Sequence, residues 1–234
     1  MTQAGPLRWR TGHGWLVLAG GGDWRAHQTG AIDAAALGWA ILDRPVAVLA
    51  TAGGSTAESE ALLDYYADLG GPSGYIVPIF SVADARSAAP ARLLSEAGLI
   101  YIGDGPDVLG LVRALQASAA LEAMTQAFED GAAIVGVGAG AIALGAYVAD
   151  HQTPTQTEIG WGWLQGIIVE PHFTGTESAA RLRAMLSAHP DCLGLGIPDG
   201  VALALGPDGR VETVGKGQVT VVVGGVQNGS AHRE

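Results

Sequence analysis

Five short apolar runs alternate with helix-patterned segments between Gly14 and Gly145, and few architectures accept that order. The runs are "GWLVLAGGG" (Gly14 to Gly22), "RPVAVLATAGG" (Arg44 to Gly54), "GYIVPIF" (Gly74 to Phe80), "AGLIYIG" (Ala97 to Gly103) and "AAIVGVG" (Ala132 to Gly138). A run that is apolar throughout is a strand covered on both faces, and strands separated by helices run parallel. The segments between them have helical punctuation. Gln28 to Leu42 reads as a helix. "STAESEALLDYYADLG" can be capped by Ser55 or Thr56 and is stopped by Gly70. A short helix is expected around Pro90 to Glu96, another opening at Pro106, and another over Ala119 to Asp130. Beyond the fifth strand come "GWGWLQGIIVEPHF", a helix over Glu177 to Ser187, "CLGLGIP", and "VALALGPDGRVETVGKGQVTVVV", whose strands are expected to be joined by a "PDG" and a "KG" turn. The expected fold is an α/β/α sandwich on a mostly parallel sheet, with its site at the carboxyl ends of the strands. One domain over 14–226 is expected, with an N-terminal extension over 1–13 and a polar tail over 227–234.

Several function classes fall away on composition. Among the 234 residues the net charge is −11, which opposes nucleic acid or an anionic membrane as partner. Cys192 is the lone cysteine, so no internal disulfide forms and a cytoplasmic location is expected. The opening "MTQAGPLRWRTGHG" lacks the apolar centre of a secretory signal. The uncharged stretch from Ala132 to Ala149 approaches membrane-spanning length, but its glycines divide it into strand, turn and helix. Six histidines without metal-ligand spacing imply no metal, and no cofactor is expected.

The stretch "IVGVGAGAIALG" (Ile134 to Gly145) carries the chemical question. A strand running through a tight turn into a helix is the device that lifts a nucleophile out of a sheet, yet Gly138 stands where the nucleophile would be. "GVGAGA" also fits the dinucleotide pattern Gly-x-Gly-x-x-Ala. That pattern belongs after the first strand of its unit, with an acid about 20 residues on at a strand end; here it follows the fifth, and Glu158 sits in a polar stretch. Dinucleotide binding is not expected.

Six landmarks in order resemble the cyanophycinase and peptidase E (aspartyl dipeptidase) family of serine peptidases, whose sheet is related to class I glutamine amidotransferases. They are Gly20-Gly21-Gly22 after the first strand, "ATAGGS" after the second, "IGDGPDVL" after the fourth, "GVGAGA" at the nucleophile turn, "VEPHF" with the helix "ESAARLRAML", and "GIPDGVAL". The resemblance covers about Gly14 to Val223. It implies that nucleophile, base and orienting acid fall on Gly138, His172 and Asp199. It puts oxyanion donors at the N–H groups of Ala139 and Asp104, with Gly105 beside them. Where the family has Asp-Gln before the histidine, this chain has Glu170-Pro171, and Pro106 replaces a glutamine. Gly138 has no side chain to attack a carbonyl, and a carboxylate at Asp104 opposes an oxyanion.

Each of these residues also has a plainer role. Gly138 can relieve a strained turn, Asp104 can cap the helix near Pro106, Asp199 can be a turn residue before Gly200, and His172 can be a hydrogen-bonded core residue. Ser55, Ser81 and Thr174 are hydroxyls that could substitute for the missing serine, though none is marked as activated; Cys192 lies away from any nucleophile turn. The expected function is an inactive peptidase-like protein that keeps a pocket for a small acidic peptide or metabolite. The alternatives are a hydrolase using His172 and Asp199 with water or an off-motif hydroxyl, and a non-enzymatic assembly or regulatory subunit. Pairing as a homodimer is a further expectation.

Overall fold

The structure is a computed structural model that describes residues 6–150 and 152–224. The polar tail expected over 227–234 lies outside the described residues, as do 1–5. In chain order the elements are β1 (Leu16–Ala19), α1 (Gly30–Trp39), β2 (Val46–Leu49), α2 (Thr56–Asp68), β3 (Gly74–Ile76), α3 (Val82–Ala85), α4 (Ala88–Glu96), β4 (Leu99–Ile102), α5 (Val108–Leu115), α6 (Ala119–Glu129), β5 (Ala133–Val137) and α7 (Ala139–Ala143). They continue with β6 (Tyr147–Ala149), β7 (Thr157–Ile159), β8 (Ile167–Glu170), α8 (Gly175–Ala188), β9 (Leu193–Gly196), β10 (Val201–Leu205), β11 (Val211–Gly215) and β12 (Thr220–Val223).

The central sheet has seven strands in the order β11-β10-β1-β5-β4-β2-β3. β1, β5, β4, β2 and β3 are parallel, while β10 and β11 add an antiparallel edge. Alternation along each strand builds two cores. Leu16, Leu18, Leu49, Ile100, Ile102 and Ile134 face the side covered by α4 to α7. Val17, Val46, Val48, Tyr101, Val135 and Val137 face α1 and α2, meeting Ile32, Leu37, Leu62 and Tyr66. These are the three layers that continuous apolar strands require. The connection from β2 leaves toward β3, and β4 returns on the other side of β2. That reversal opens a crevice at the carboxyl ends of the strands.

Two expectations change. The "KG" segment does not close a hairpin: β11 pairs with β10, whereas β12 crosses to β9 in a separate three-stranded sheet, β12-β9-β8. Short-range turn chemistry signals that the chain can bend, and pairing partners are chosen by which apolar face needs cover. The apolar run "GYIVPIF" contributes strand only over Gly74–Ile76, because Pro78 has no N–H to donate to a ladder. At the other end of the molecule, Trp9 of the N-terminal segment is buried and bridges to Leu164, and the Arg10 N–H donates to the Trp163 carbonyl at 2.7 Å.

Candidate functional site

Three successive carbonyls at the end of β1 hold three loops. The Ala19 carbonyl accepts from the Gly138 N–H at 3.2 Å, the Gly20 carbonyl from the His172 N–H at 2.8 Å, and the Gly21 carbonyl from the Gly200 N–H at 2.9 Å. The turn after β5, the loop after β8 and the loop before β10 are thereby fixed to one point. The glycines make that approach possible. A Cβ on Gly21 would lie 2.2 Å from Cε1 of His172 and 2.7 Å from Oδ1 of Asp199, and its φ of +123° also suits only glycine. Gly20 meets the carbonyls of Ile197 and Pro198 equally closely.

His172 sits between two carboxylates. Its Nδ1 is 2.7 Å from Oδ1 of Asp199, and its Nε2 is 2.9 Å from Oδ2 of Asp104. The ring is therefore an imidazolium donating from both nitrogens. Its hydrogen bond to Asp104 is the largest cause; burial pulls the other way, and the charge of Asp104 with the hydrogen bond and charge of Asp199 lifts its pKa to about 9. Burial would raise the carboxyl of Asp104, but His172 and two backbone N–H groups outweigh it and hold the carboxyl below its usual range. Those two groups belong to Ala139 and Gly105, each donating to Oδ1 of Asp104 at 2.8 Å. The backbone of His172 is left-handed (φ 48°), a strained state for a residue with a side chain.

Gly138 forms the corner between β5 and α7 with φ 53° and ψ −113°. A Cβ built there would fall 2.0 Å from Oδ1 and 2.1 Å from Cγ of Asp104. The carboxylate of Asp104 thus occupies the space that a side chain at Gly138 would need. It also takes the Ala139 N–H that the resemblance assigns to an oxyanion. The sequence offers Asp104 as a backbone oxyanion donor, as a carboxylate opposing that oxyanion, or as a helix cap, and none of these puts its carboxylate on the Ala139 N–H. The cap of α5 is instead Asp107, which accepts from the Gly110 N–H at 2.8 Å.

A cavity of ≈ 250 Å³ opens beside Asp104, lined by Gly21, Gly22, Trp24, Arg25, Glu58 and Tyr101 among others. Its Trp24 wall carries the Arg25 guanidinium 4.3 Å from the ring centroid. Trp24, Arg25, Glu58 and Tyr101 escaped sequence reasoning, because they match no motif and the first two, just past the Gly20-Gly21-Gly22 landmark, meet the other two only in the fold. Asp199 borders a separate open groove with His27 and Lys216.

The remaining candidates lie elsewhere. Glu170 is buried and pairs with Arg181 at 2.7 Å, facing the cavity that holds Ile142 and Met185. Pro106 lies against Gly53. Ser55 closes a capping box with Glu58 at the start of α2, and the Ser81 hydroxyl accepts from the Asp84 N–H, so both serve helix ends. Thr174 precedes α8, and its carbonyl accepts from Ser178. Cys192 is buried just before β9, and burial pushes its thiol up. Glu158 lies on β7, paired with Arg113, in a two-stranded sheet separate from the central one. Among the described residues no group of three or more His, Cys, Asp or Glu could hold a metal ion, and no helix is long and apolar enough to cross a membrane.

Comparison with known proteins bears on this geometry. Among curated relatives, a cyanophycinase of Synechococcus elongatus is 30% identical over 168 residues, 68% of this chain and 52% of the relative. A cyanophycinase of Trichormus variabilis is 31% identical over 127 residues, 50% of this chain and 43% of the relative. The chain spans about half the length of the curated relatives it matches. Among solved structures, a peptidase from an acI-B1 Actinobacterium superposes with a TM-score of 0.76 at 23% identity, covering 92% of this chain and 93% of that one. A candidate peptidase E protein from Listeria monocytogenes EGD-e superposes with a TM-score of 0.64 at 15% identity, covering 87% and 99%. Both establish the sandwich fold. The model of peptidase family S51 matches residues 40–212, most of the sheet and both sides of the His172 site, and the chain belongs to that family.

Proposed function

We propose that this chain is a non-acylating member of peptidase family S51 that binds a small peptide or metabolite in the cavity beside Asp104. The observation that carries the reading is the position of the Asp104 carboxylate. It fills the space above Gly138 and consumes the Ala139 N–H, so nucleophile and oxyanion donor are lost together. Restoring one without the other does not rebuild acyl transfer.

A hydrolase that uses water with His172 as base is the weaker reading. Both ring nitrogens are engaged by carboxylates, and a pKa of about 9 leaves the ring protonated at neutral pH. A base must be free of its proton to take another. The cavity supports binding: ≈ 250 Å³ is just below the usual range for small-molecule sites, and Trp24 and Tyr101 offer aromatic surface with Arg25 and Glu58 at hand.

The test is a panel of Asp-X, isoaspartyl, neutral and basic dipeptides with the purified chain. The expected result is a rise in Tm with at least one member and no turnover. Turnover that disappears in His172→Ala overturns the reading.

A further inference from the structure

We propose that Asp104 is an internal ligand of an anion site formed by Ala139 N–H, Gly105 N–H and His172 Nε2–H, and that it bars carboxylates and other small anions from this corner of the cavity. Three donors converge on one carboxylate, two on Oδ1 at 2.8 Å and one on Oδ2 at 2.9 Å. Such charge-assisted bonds are the strong kind, and a carboxylate tethered to the site competes with free ones at a high effective concentration. The carboxylate is only half-buried, so one face remains open to the cavity. Any ligand there meets a negative wall, reinforced by Asp23 and Glu58 and countered by Arg25. The ligand group that reaches Asp104 is therefore a hydrogen-bond donor, which departs from the acidic ligand expected from the resemblance. The inference rests on the reading that this cavity binds ligand only for that last consequence; the self-occupied anion site stands on the three hydrogen bonds.

The second partner of His172 keeps the site charged when Asp104 is removed. Asp199 remains at 2.7 Å from Nδ1, so the ring continues to favour its protonated form, with two backbone donors beside it. Emptying the slot should create a receptor for a small carboxylate.

The experiment uses sodium acetate as probe, with sodium chloride at equal ionic strength as control. It reads the His172 ring resonances by NMR across a pH series, together with Tm. In the unmodified chain the imidazole should titrate near 9 and ignore acetate. In Asp104→Gly it should titrate closer to the ordinary value of 6.5, and acetate should bind at least tenfold more tightly than to the unmodified chain, raising both the titration midpoint and Tm. In Asp104→Asn the slot stays filled by an uncharged group of the same shape, so the midpoint falls but acetate still has no effect. The Asn variant keeps the test decisive if the Gly variant does not fold. Acetate binding equally well to the unmodified chain or to Asp104→Asn overturns the proposal, as does a folded Asp104→Gly that ignores acetate. Peptide turnover by the unmodified chain would sink the non-acylating reading without touching these acetate outcomes.

Discussion

Gly138 and Asp104 have to be considered as a pair, because each makes sense only with the other. Introducing serine at position 138 alone drives its Cβ to 2.0 Å from Oδ1 of Asp104, in a backbone state that already disfavours a side chain. Overpacking and backbone strain together should cost roughly 2–4 kcal/mol. Urea unfolding of Gly138→Ser should show that loss, and Gly138→Ser with Asp104→Gly should recover the packing share. Only the double variant presents a serine beside an unoccupied Ala139 N–H. It is the variant in which dipeptide hydrolysis is expected; hydrolysis by Gly138→Ser alone would mean that Asp104 moves aside. His172 supplies the second residue-scale prediction. Its folded pKa, about 9, lies above the ordinary 6.5, so its contribution to stability is full below pH 6.5 and disappears as pH rises through 9. Asp104 and Asp199 are the carboxylates facing the ring, and Asp104, the larger cause of the shift, is held below its usual range and stays ionised throughout that window, so the sign stands. Partial exposure of all three groups keeps the effect small through solvent screening. Urea midpoints measured from pH 6 to pH 10 should fall in the unmodified chain and stay nearly level in His172→Ala.

Helices α1 and α2 are tied by a polar contact within an apolar layer. Asp33 is buried, and its carboxylate accepts from the Thr29 hydroxyl at 2.7 Å, from Tyr65 at 3.1 Å and from Tyr66 at 2.9 Å. Burial raises the Asp33 carboxyl and the three hydroxyls oppose it, while burial and the Asp33 charge push the Tyr65 phenol up to about 12. Asp33→Ala strands the fully buried Tyr66 hydroxyl and should lower unfolding free energy by about 1–3 kcal/mol. Asp33→Asn, which keeps an acceptor, should cost less, and chemical denaturation of the two variants decides. Equal losses would assign the effect to charge. The start of α2 was legible in the sequence, because Ser55 and Glu58 form a capping box that depends only on neighbours. The Asp33 cluster was not, since its members lie 32 and 33 residues apart and meet only when both helices pack on the same face of the sheet.

At the scale of the molecule, the N-terminal segment is part of the packed body from Leu7 onward. The Gln165 N–H donates to the Arg8 carbonyl at 2.9 Å, and the Arg10 guanidinium lies 5.3 Å from the Trp163 ring centroid. Trp9→Ala should therefore destabilise the whole fold by about 3–5 kcal/mol, read by calorimetry or urea unfolding. A loss below 1 kcal/mol would mean that residues 6–13 are a dispensable extension. The sequence alone determined the parallel sheet, its layers and the strand ends that carry the site, because apolar runs and glycine stops express needs met within a few residues. The resemblance, through motif order, also paired His172 with Asp199, which lie 2.7 Å apart. Only the tertiary structure decided that Asp104 stands inside the slot above Gly138, that three carbonyls after β1 gather the loops, and that β12 leaves β11 for β9. Those outcomes depend on distances between residues far apart in the chain, and a side chain's reach across a gap is set by the packing that fixes the gap.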